Sequence, residues 1–237
     1  AVPRQPRGSA GWRVEPADRR ATAAGLRRHR AAASSRPAGH RSAGLHVDLR
    51  RGHQRGEEPD EREAWFSYTD YSTPTRTYSL DTQTGATALL REPKIPADIT
   101  PYVTEQVFYT SRDGTRVPMF IVRPKDTPRD GTGAVTRYGY GGFDISMTPS
   151  FSSATIAWLE RGGTYAVANL RGGGEYGAAW HEAGTRAKKQ NVFDDFIGAA
   201  EYLVKEKYAA PKRIVVRGGS NGGLLVGEVI TKRPELF

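Results

Sequence analysis

The most constraining feature of this sequence is a cluster of glycines around one serine, near residue 220. A short β-branched run, Ile214 to Val216, leads into Gly218-Gly219-Ser220-Asn221-Gly222. Apolar residues at helical spacing follow the cluster, at Leu224, Leu225, Val229 and Ile230. The order of strand, tight turn and helix, with Gly-x-Ser-x-Gly at the turn, is that of a nucleophile elbow, which presents a serine hydroxyl at the top of a sheet.

The glycines have a steric reason in this interpretation. The turn brings strand and helix so close that side chains two residues before and two residues after Ser220 would collide, which predicts glycine at 218 and 222. The serine itself would then have a strained backbone, an expense that proteins accept at functional sites. A glycine-rich turn before a helix, without any catalytic role, is the alternative, and the motif by itself leaves it open.

Composition excludes several kinds of site. The chain of 237 residues has no cysteine, which removes disulfides, thiol nucleophiles and cysteine-ligated zinc. It has no apolar run long enough to span a membrane and no apolar signal-peptide core at its N-terminus, so we expect a soluble protein without membrane attachment. The expected compartment is the cytoplasm, or the periplasm if a leader preceded Ala1.

The formal net charge of +9 is concentrated at the N-terminus. Residues 1–60 carry 13 Arg, no Lys and 6 acidic residues, and their apolar side chains are sparse. We therefore predict that residues 1–62 are disordered. One alternative is a basic arm for nucleic acid or an acidic membrane surface. Another is out-of-frame translation of a GC-rich gene, which yields Arg, Ala, Gly and Pro without lysine.

Short aromatic and β-branched runs begin at residue 63. Runs at 64–70, 76–80 and 86–90 predict three antiparallel strands of a meander. Runs at 104–110 and 115–122 predict a hairpin, because the Asp113-Gly114 pair between them is strong turn chemistry. The aromatic residues of the meander could stack against sugars or bases, but packing within a sheet is the favoured interpretation.

Strands alternate with helices from residue 134 onward, which predicts an open α/β sheet with its functional loops at the strand carboxyl ends. The predicted strands lie at 134–138, 164–170 and 214–216, and the predicted helices at 155–160 and 191–208. Asn191 is predicted to cap the longer helix, with Asp194 in its first turn.

Two other features carry less information about function. The glycine run beginning at Gly139 lacks a third glycine at dinucleotide-binding spacing, and the chain has no phosphate-binding P-loop, so nucleotide binding is disfavoured.

Four histidines, at 29, 40, 46 and 53, lack metal-ligand spacing. His181 is predicted to be a surface or hydrogen-bonded histidine, because a catalytic histidine would follow the serine in this architecture.

Four motifs occur in order and together resemble the prolyl oligopeptidase family over residues 63–237. They are Tyr-Gly-Tyr-Gly-Gly-Phe at 138–143, Ala-Val-Ala-Asn-Leu-Arg-Gly-Gly-Gly-Glu-Tyr-Gly at 166–177, Lys-Gln-Asn-Val-Phe-Asp-Asp-Phe at 189–196 and Arg-Gly-Gly-Ser-Asn-Gly-Gly-Leu-Leu at 217–225. Residues 1–62 have no counterpart in the family.

The resemblance implies a serine peptidase of α/β-hydrolase fold, capped by a seven-bladed propeller, that cuts short peptides after proline. It implies that Ser220 is the nucleophile on the elbow turn of Gly218, Gly219 and Gly222. The backbone N–H of Asn221 and the hydroxyl of Tyr140 would form the oxyanion hole, and Phe143 would line the pocket for the proline ring. No metal, cofactor, nucleic acid or membrane is implied, and the full-length protein would be a monomer.

Three features depart from the family pattern, and the first two predict a fragment. Only 17 residues follow Ser220, whereas the acid and histidine of this fold come later than the serine. A propeller blade takes about 40 to 45 residues, so residues 63–97 provide one blade at most. Arg137 also stands where the strand should be buried and apolar.

We therefore expect a fragment made of the tail at 1–62, a remnant of the last propeller blade at 63–97 and the N-terminal part of the catalytic domain at 98–237. Such a fragment should be inactive alone, and poorly soluble because its elbow strand would become a sheet edge. Two alternatives remain: a related hydrolase of the same fold with basic-residue or acyl-peptide specificity, and a non-catalytic binding module with a nucleic-acid-binding arm.

Overall fold

The structure is a computed structural model that describes residues 62–237 as two β-sheets with flanking helices. The predictions for the first 61 residues, namely disorder, a nucleic-acid-binding arm or out-of-frame translation, lie outside the described residues.

The first sheet is the predicted meander, and its three strands are confirmed. They pair antiparallel in the order β1-β2-β3, with β1 at Glu63–Tyr68, β2 at Arg76–Asp81 and β3 at Thr87–Arg91. The rings of Phe66 and Tyr78 stack across β1 and β2 with centroids 5.1 Å apart. These aromatic side chains therefore pack within the sheet, as predicted.

The second sheet has five strands in the order β4-β5-β7-β6-β8. Its strands are β4 at Tyr102–Thr110, β5 at Arg116–Pro124, β6 at Val135–Tyr138, β7 at Thr164–Ala168 and β8 at Ile214–Arg217. The β4–β5 hairpin is antiparallel and pairs antiparallel with β7, whereas β7, β6 and β8 run parallel. The predicted open α/β sheet is confirmed, with β8 at one edge of the part that the structure describes.

Helices cover both faces of this sheet. They are α1 at Ser153–Leu159, α2 at Ala178–Glu182, α3 at Gln190–Lys205 and α4 at Asn221–Lys232, with 3-10 turns at Arg186–Lys188 and Pro234–Leu236. Alternate side chains of β5 enter two separate cores. Ile121 joins the core under α3 and α4, and Val122 joins the core under α1. Within residues 62–237, none of the helices is long and apolar enough to cross a membrane.

The start of α3 corrects the predicted capping. The helix begins at Gln190, after a residue whose backbone is already helical, and it has no side-chain cap. Asn191 lies inside the helix and donates from Nδ2 to the carbonyl of Ala183 at 2.9 Å. Asp194 also lies beyond the first turn, which contains no acidic residue. The chain enters α3 directly from a 3-10 turn, so an extended capping residue is not needed.

Arg137 lies on β6 and is fully buried. Its Nη1 donates to the carbonyl of Phe196, and its guanidinium carbon lies 3.6 Å from the centroid of the Phe196 ring. In the described part of the chain, Nε and Nη2 have no hydrogen-bond partner. Burial lowers the pKa of Arg137 to about 9. The core thus carries a charge whose desolvation is only partly compensated.

We predict that Arg137→Met raises the free energy of unfolding by about 1–3 kcal/mol, because methionine fills a similar volume without buried, unpaired donors. Urea denaturation followed by circular dichroism measures the change. Arg91→Met, on the exposed strand β3, is the matched control and should change stability little. A lower unfolding free energy for Arg137→Met than for the wild type would contradict the prediction.

Candidate active site

Three loops meet at the carboxyl ends of the parallel strands β6, β7 and β8. They span residues 139–152, 169–177 and 218–220. Open α/β sheets bind their ligands at this edge. The loops after β6 and β8, together with the start of α4, contain every residue that the sequence singles out as a site residue.

Ser220 occupies the turn between β8 and α4 and is exposed. Its φ of 53° and ψ of −116° lie in a region that non-glycine residues rarely adopt. A Cβ at Gly218 would stand 2.2 Å from the carbonyl oxygen of Gly222, and a Cβ at Gly222 would stand 2.8 Å from that of Gly139. A Cβ at Gly219 would meet no atom within 4 Å. Glycine is thus sterically required at 218 and 222, but not at 219.

Two hydrogen-bond donors predicted for the site lack acceptors. The backbone N–H of Asn221 is the first of α4, so it has no hydrogen-bond acceptor within the helix. The next two N–H groups, of Gly222 and Gly223, donate to the carbonyls of Gly219 and Ser220, both at 2.8 Å. Among residues 62–237, neither the Asn221 N–H nor the Tyr140 hydroxyl forms a hydrogen bond within the chain. Both donors are therefore free to bind a ligand oxygen.

The loop after β6 lies against the elbow. Gly139 donates its N–H to the carbonyl of Arg217 at 3.3 Å, and Asn221 donates from Nδ2 to the carbonyl of Tyr140 at 2.7 Å. These contacts place Tyr140 next to the start of α4. Phe143 stands further along the loop with φ of 54° and an exposure of 73%. Its ring is open to solvent.

The loop after β7 supports the loop after β6. Glu175 accepts hydrogen bonds at Oε1 from the Met147 N–H at 2.8 Å and from Asn169 Nδ2 at 3.2 Å. Burial raises the pKa of Glu175. His181 Nδ1 lies 2.8 Å from the carbonyl oxygen of Gly172 and 3.1 Å from the Asp144 nitrogen. His181 is thus a hydrogen-bonded histidine, as predicted. In residues 62–237 no group of three or more His, Asp or Glu could hold a metal ion.

A buried ion pair anchors the loop after β7. Arg171 Nη2 lies 2.6 Å from Asp195 Oδ1 on α3, and Asp195 is fully buried. Arg171 Nη1 lies 2.5 Å from Asp113 Oδ2, in the β4–β5 turn. Although burial alone would lower it, hydrogen bonds to both carboxylates raise the pKa of Arg171. Local sequence pattern does not reveal this network, because Arg171 is 24 and 58 residues from its partners.

We predict that Asp195→Asn lowers the free energy of unfolding by about 3 kcal/mol or more, since it leaves a buried guanidinium without its main counter-charge. Asp113→Asn is the matched control. Its side chain is 45% exposed, so the loss should stay below about 1 kcal/mol. Urea denaturation of both variants tests the difference, and equal losses would contradict it.

The steric difference between Gly218 and Gly219 gives a second prediction. Gly218→Ala should lower the free energy of unfolding by about 1–3 kcal/mol or more, because the added methyl group meets backbone that cannot move aside. Gly219→Ala should leave stability nearly unchanged, because its methyl group would point into open space. Thermal unfolding of the two variants separates these outcomes, and similar melting temperatures would refute the close approach.

One protein-family model and several known proteins are similar to parts of this chain. The family model described as "Prolyl oligopeptidase family" matches residues 149–237. The prolyl endopeptidase of Elizabethkingia meningoseptica is 48% identical over 181 residues, which is 76% of this chain and 26% of that protein. Dipeptidyl aminopeptidase BI of Pseudoxanthomonas mexicana is 44% identical over 174 residues, which is 73% of this chain and 24% of that protein.

A solved structure from a study of two prolyl endopeptidases superposes with a TM-score of 0.74 at 53% sequence identity. The superposition covers 77% of this chain and 27% of that one. The chain thus spans about a quarter of the length of the relatives that it matches.

Proposed function

The aligned segment belongs to the prolyl oligopeptidase family, and from this premise we propose that the whole protein carrying it is a serine peptidase that cleaves short peptides on the carboxyl side of proline. The predicted fold class is confirmed, since the five-stranded sheet and its helices are part of an α/β-hydrolase fold. The observation that carries the proposal is the strained, exposed Ser220 on its glycine turn, followed directly by Asn221, whose backbone N–H has no acceptor in the described chain.

In the proposed reaction, Ser220 Oγ attacks the carbonyl carbon of the proline residue, and its proton passes to a general base. The carbonyl oxygen becomes negatively charged and accepts hydrogen bonds from Asn221 and Tyr140. Collapse of this intermediate breaks the peptide bond, and the amine leaves with the proton. Water then hydrolyses the ester at Ser220. Phe143 would pack against the proline ring and select it.

We propose that the 237-residue chain alone leaves Ser220 without a general base. No histidine follows Ser220 in the sequence, and Nδ1 of His181 lies within hydrogen-bond distance of the backbone of Gly172 and Asp144. In the same proposal, residues 63–97 are part of a propeller blade and residues 98–237 part of the catalytic domain. The whole enzyme would be a cytoplasmic monomer, or a periplasmic one.

A second candidate is a dipeptidyl aminopeptidase, favoured by the 44% identity to one such enzyme. It would use the same Ser220, Asn221 and Tyr140 but would require a free amino terminus two residues before the cut. A related hydrolase with basic-residue or acyl-peptide specificity would use the same three residues and would differ in the side chains that line its substrate pocket.

Labelling with a fluorophosphonate, followed by peptide mapping, tests the nucleophile in the natural full-length protein that carries this segment. We expect the label on Ser220, and no label in Ser220→Ala. Hydrolysis of proline peptides with blocked and with free amino termini then separates the two candidates. A label on another residue, or none on the folded wild type, would overturn the proposal.

Tyr140→Phe should lower kcat about 10²- to 10³-fold, the usual loss for one oxyanion donor. Stability should be unchanged, because the Tyr140 hydroxyl bonds to nothing within the described chain. Tyr138→Phe, two residues earlier at the end of β6, is the matched control and should keep its activity. Steady-state kinetics on the preferred peptide measures both variants, and equal rates would remove Tyr140 from the oxyanion hole.

A further inference from the structure

The two donors proposed for the oxyanion come from different strands, so their relative position depends on contacts between loops. Tyr140 follows β6, whereas Asn221 follows β8. Lys189, which precedes α3, contacts both loops at once. Its Nζ donates to the carbonyl of Gly141 at 2.8 Å and to Asn221 Oδ1 at 3.2 Å.

The side chain of Asn221 completes this bridge. Its Oδ1 accepts from Lys189, and its Nδ2 donates to the carbonyl of Tyr140 at 2.7 Å. Because the lysine only donates and the carbonyl only accepts, the two contacts fix which end of the amide faces which loop. A Cβ at Gly142 would stand 2.6 Å from Asn221 Nδ2, so the loop backbone also lies directly against this amide.

The environment of Lys189 is unusual for a lysine. Its side chain is half-buried, and burial lowers the pKa of its ammonium. Within residues 62–237, no carboxylate forms an ion pair with it. Desolvating an ammonium against neutral acceptors alone costs free energy that an apolar side chain would avoid. The two hydrogen bonds of Lys189 Nζ, to Gly141 and Asn221, offset part of that cost, and an apolar side chain could not form them.

We propose that Lys189 is a positioning residue for the peptidase reaction, clamping the Tyr140 loop to Asn221 so that the hydroxyl of Tyr140 and the N–H of Asn221 converge on one oxygen. The inference rests on the proposed function, since it concerns the geometry of that same site. Oxyanion stabilisation depends on donors about 2.7–3.1 Å from the developing charge. Loosening one loop relative to the other therefore weakens transition-state binding more than substrate binding.

The test compares Lys189→Met, which keeps the aliphatic stem but has no donors, with Lys189→Arg, which keeps charge and donors. Lys188→Met is the matched control, because Lys188 is an exposed neighbour on the adjacent 3-10 turn. In the natural full-length protein, Lys189→Met should lower kcat about 10- to 100-fold with little change in KM, less than the loss of a whole donor. Lys189→Arg should recover part of the rate, and Lys188→Met should behave as the wild type.

A second measurement does not depend on activity. Hydrogen exchange followed by mass spectrometry should show faster exchange in residues 139–147 of Lys189→Met, and unchanged exchange in the β4–β5 hairpin. Unchanged exchange in 139–147, or faster exchange with a wild-type kcat, would overturn the positioning role. If the wild type fails to label at Ser220 while Lys189→Met still shows faster exchange, the proposed function fails but the clamp is supported.

Discussion

The buried ion pair between Arg171 and Asp195 is the interaction on which the edge of the sheet near Ser220 depends. It joins the carboxyl end of β7 to α3, and through Asp113 it reaches the β4–β5 turn. Tyr109 of β4 adds a hydrogen bond from its hydroxyl to the carbonyl of Asp195 at 2.8 Å. Removing either partner of a buried ion pair is strongly destabilising, because it leaves the other charge uncompensated. The start of the loop after β7 is therefore fixed, and that loop in turn supports the loop carrying Tyr140.

Much of the architecture follows from local sequence pattern. The meander, the β4–β5 hairpin and the alternation that begins with β6 are confirmed, because period-two strands and turn residues such as Asp113-Gly114 act over a few residues. The capping prediction at Asn191 is wrong, although it also rested on local pattern. Asn191 has the right chemistry for a cap, but a 3-10 turn immediately before α3 sets where the helix starts.

Long-range contacts limit what the sequence could show of the site. The requirement for glycine at 218 is local, because its Cβ would meet Gly222 within the same turn, whereas a Cβ at Gly222 would meet Gly139 on the neighbouring loop. Arg137 departs from the apolar pattern of its predicted strand, which the sequence shows. Its stacking on Phe196 is not visible there, because Phe196 lies on a helix 59 residues away. Lys189 belongs to the motif at 189–196, but the sequence does not indicate a role for it, because its hydrogen-bond partners are 48 and 32 residues away. Local pattern identifies the glycine turn around Ser220, and tertiary packing decides what surrounds it.

The position of β8 has a consequence for how a complete catalytic centre can be built. β8 is the outermost strand of the sheet formed by residues 62–237, and Val215 on it is more than half exposed. Any further strand that paired with β8 in the same direction would end level with Ser220. The first residues beyond that strand would then arrive beside the serine hydroxyl from the flank opposite Tyr140. A proton acceptor could approach Ser220 from there without disturbing the contact between Asn221 and the loop that carries Tyr140.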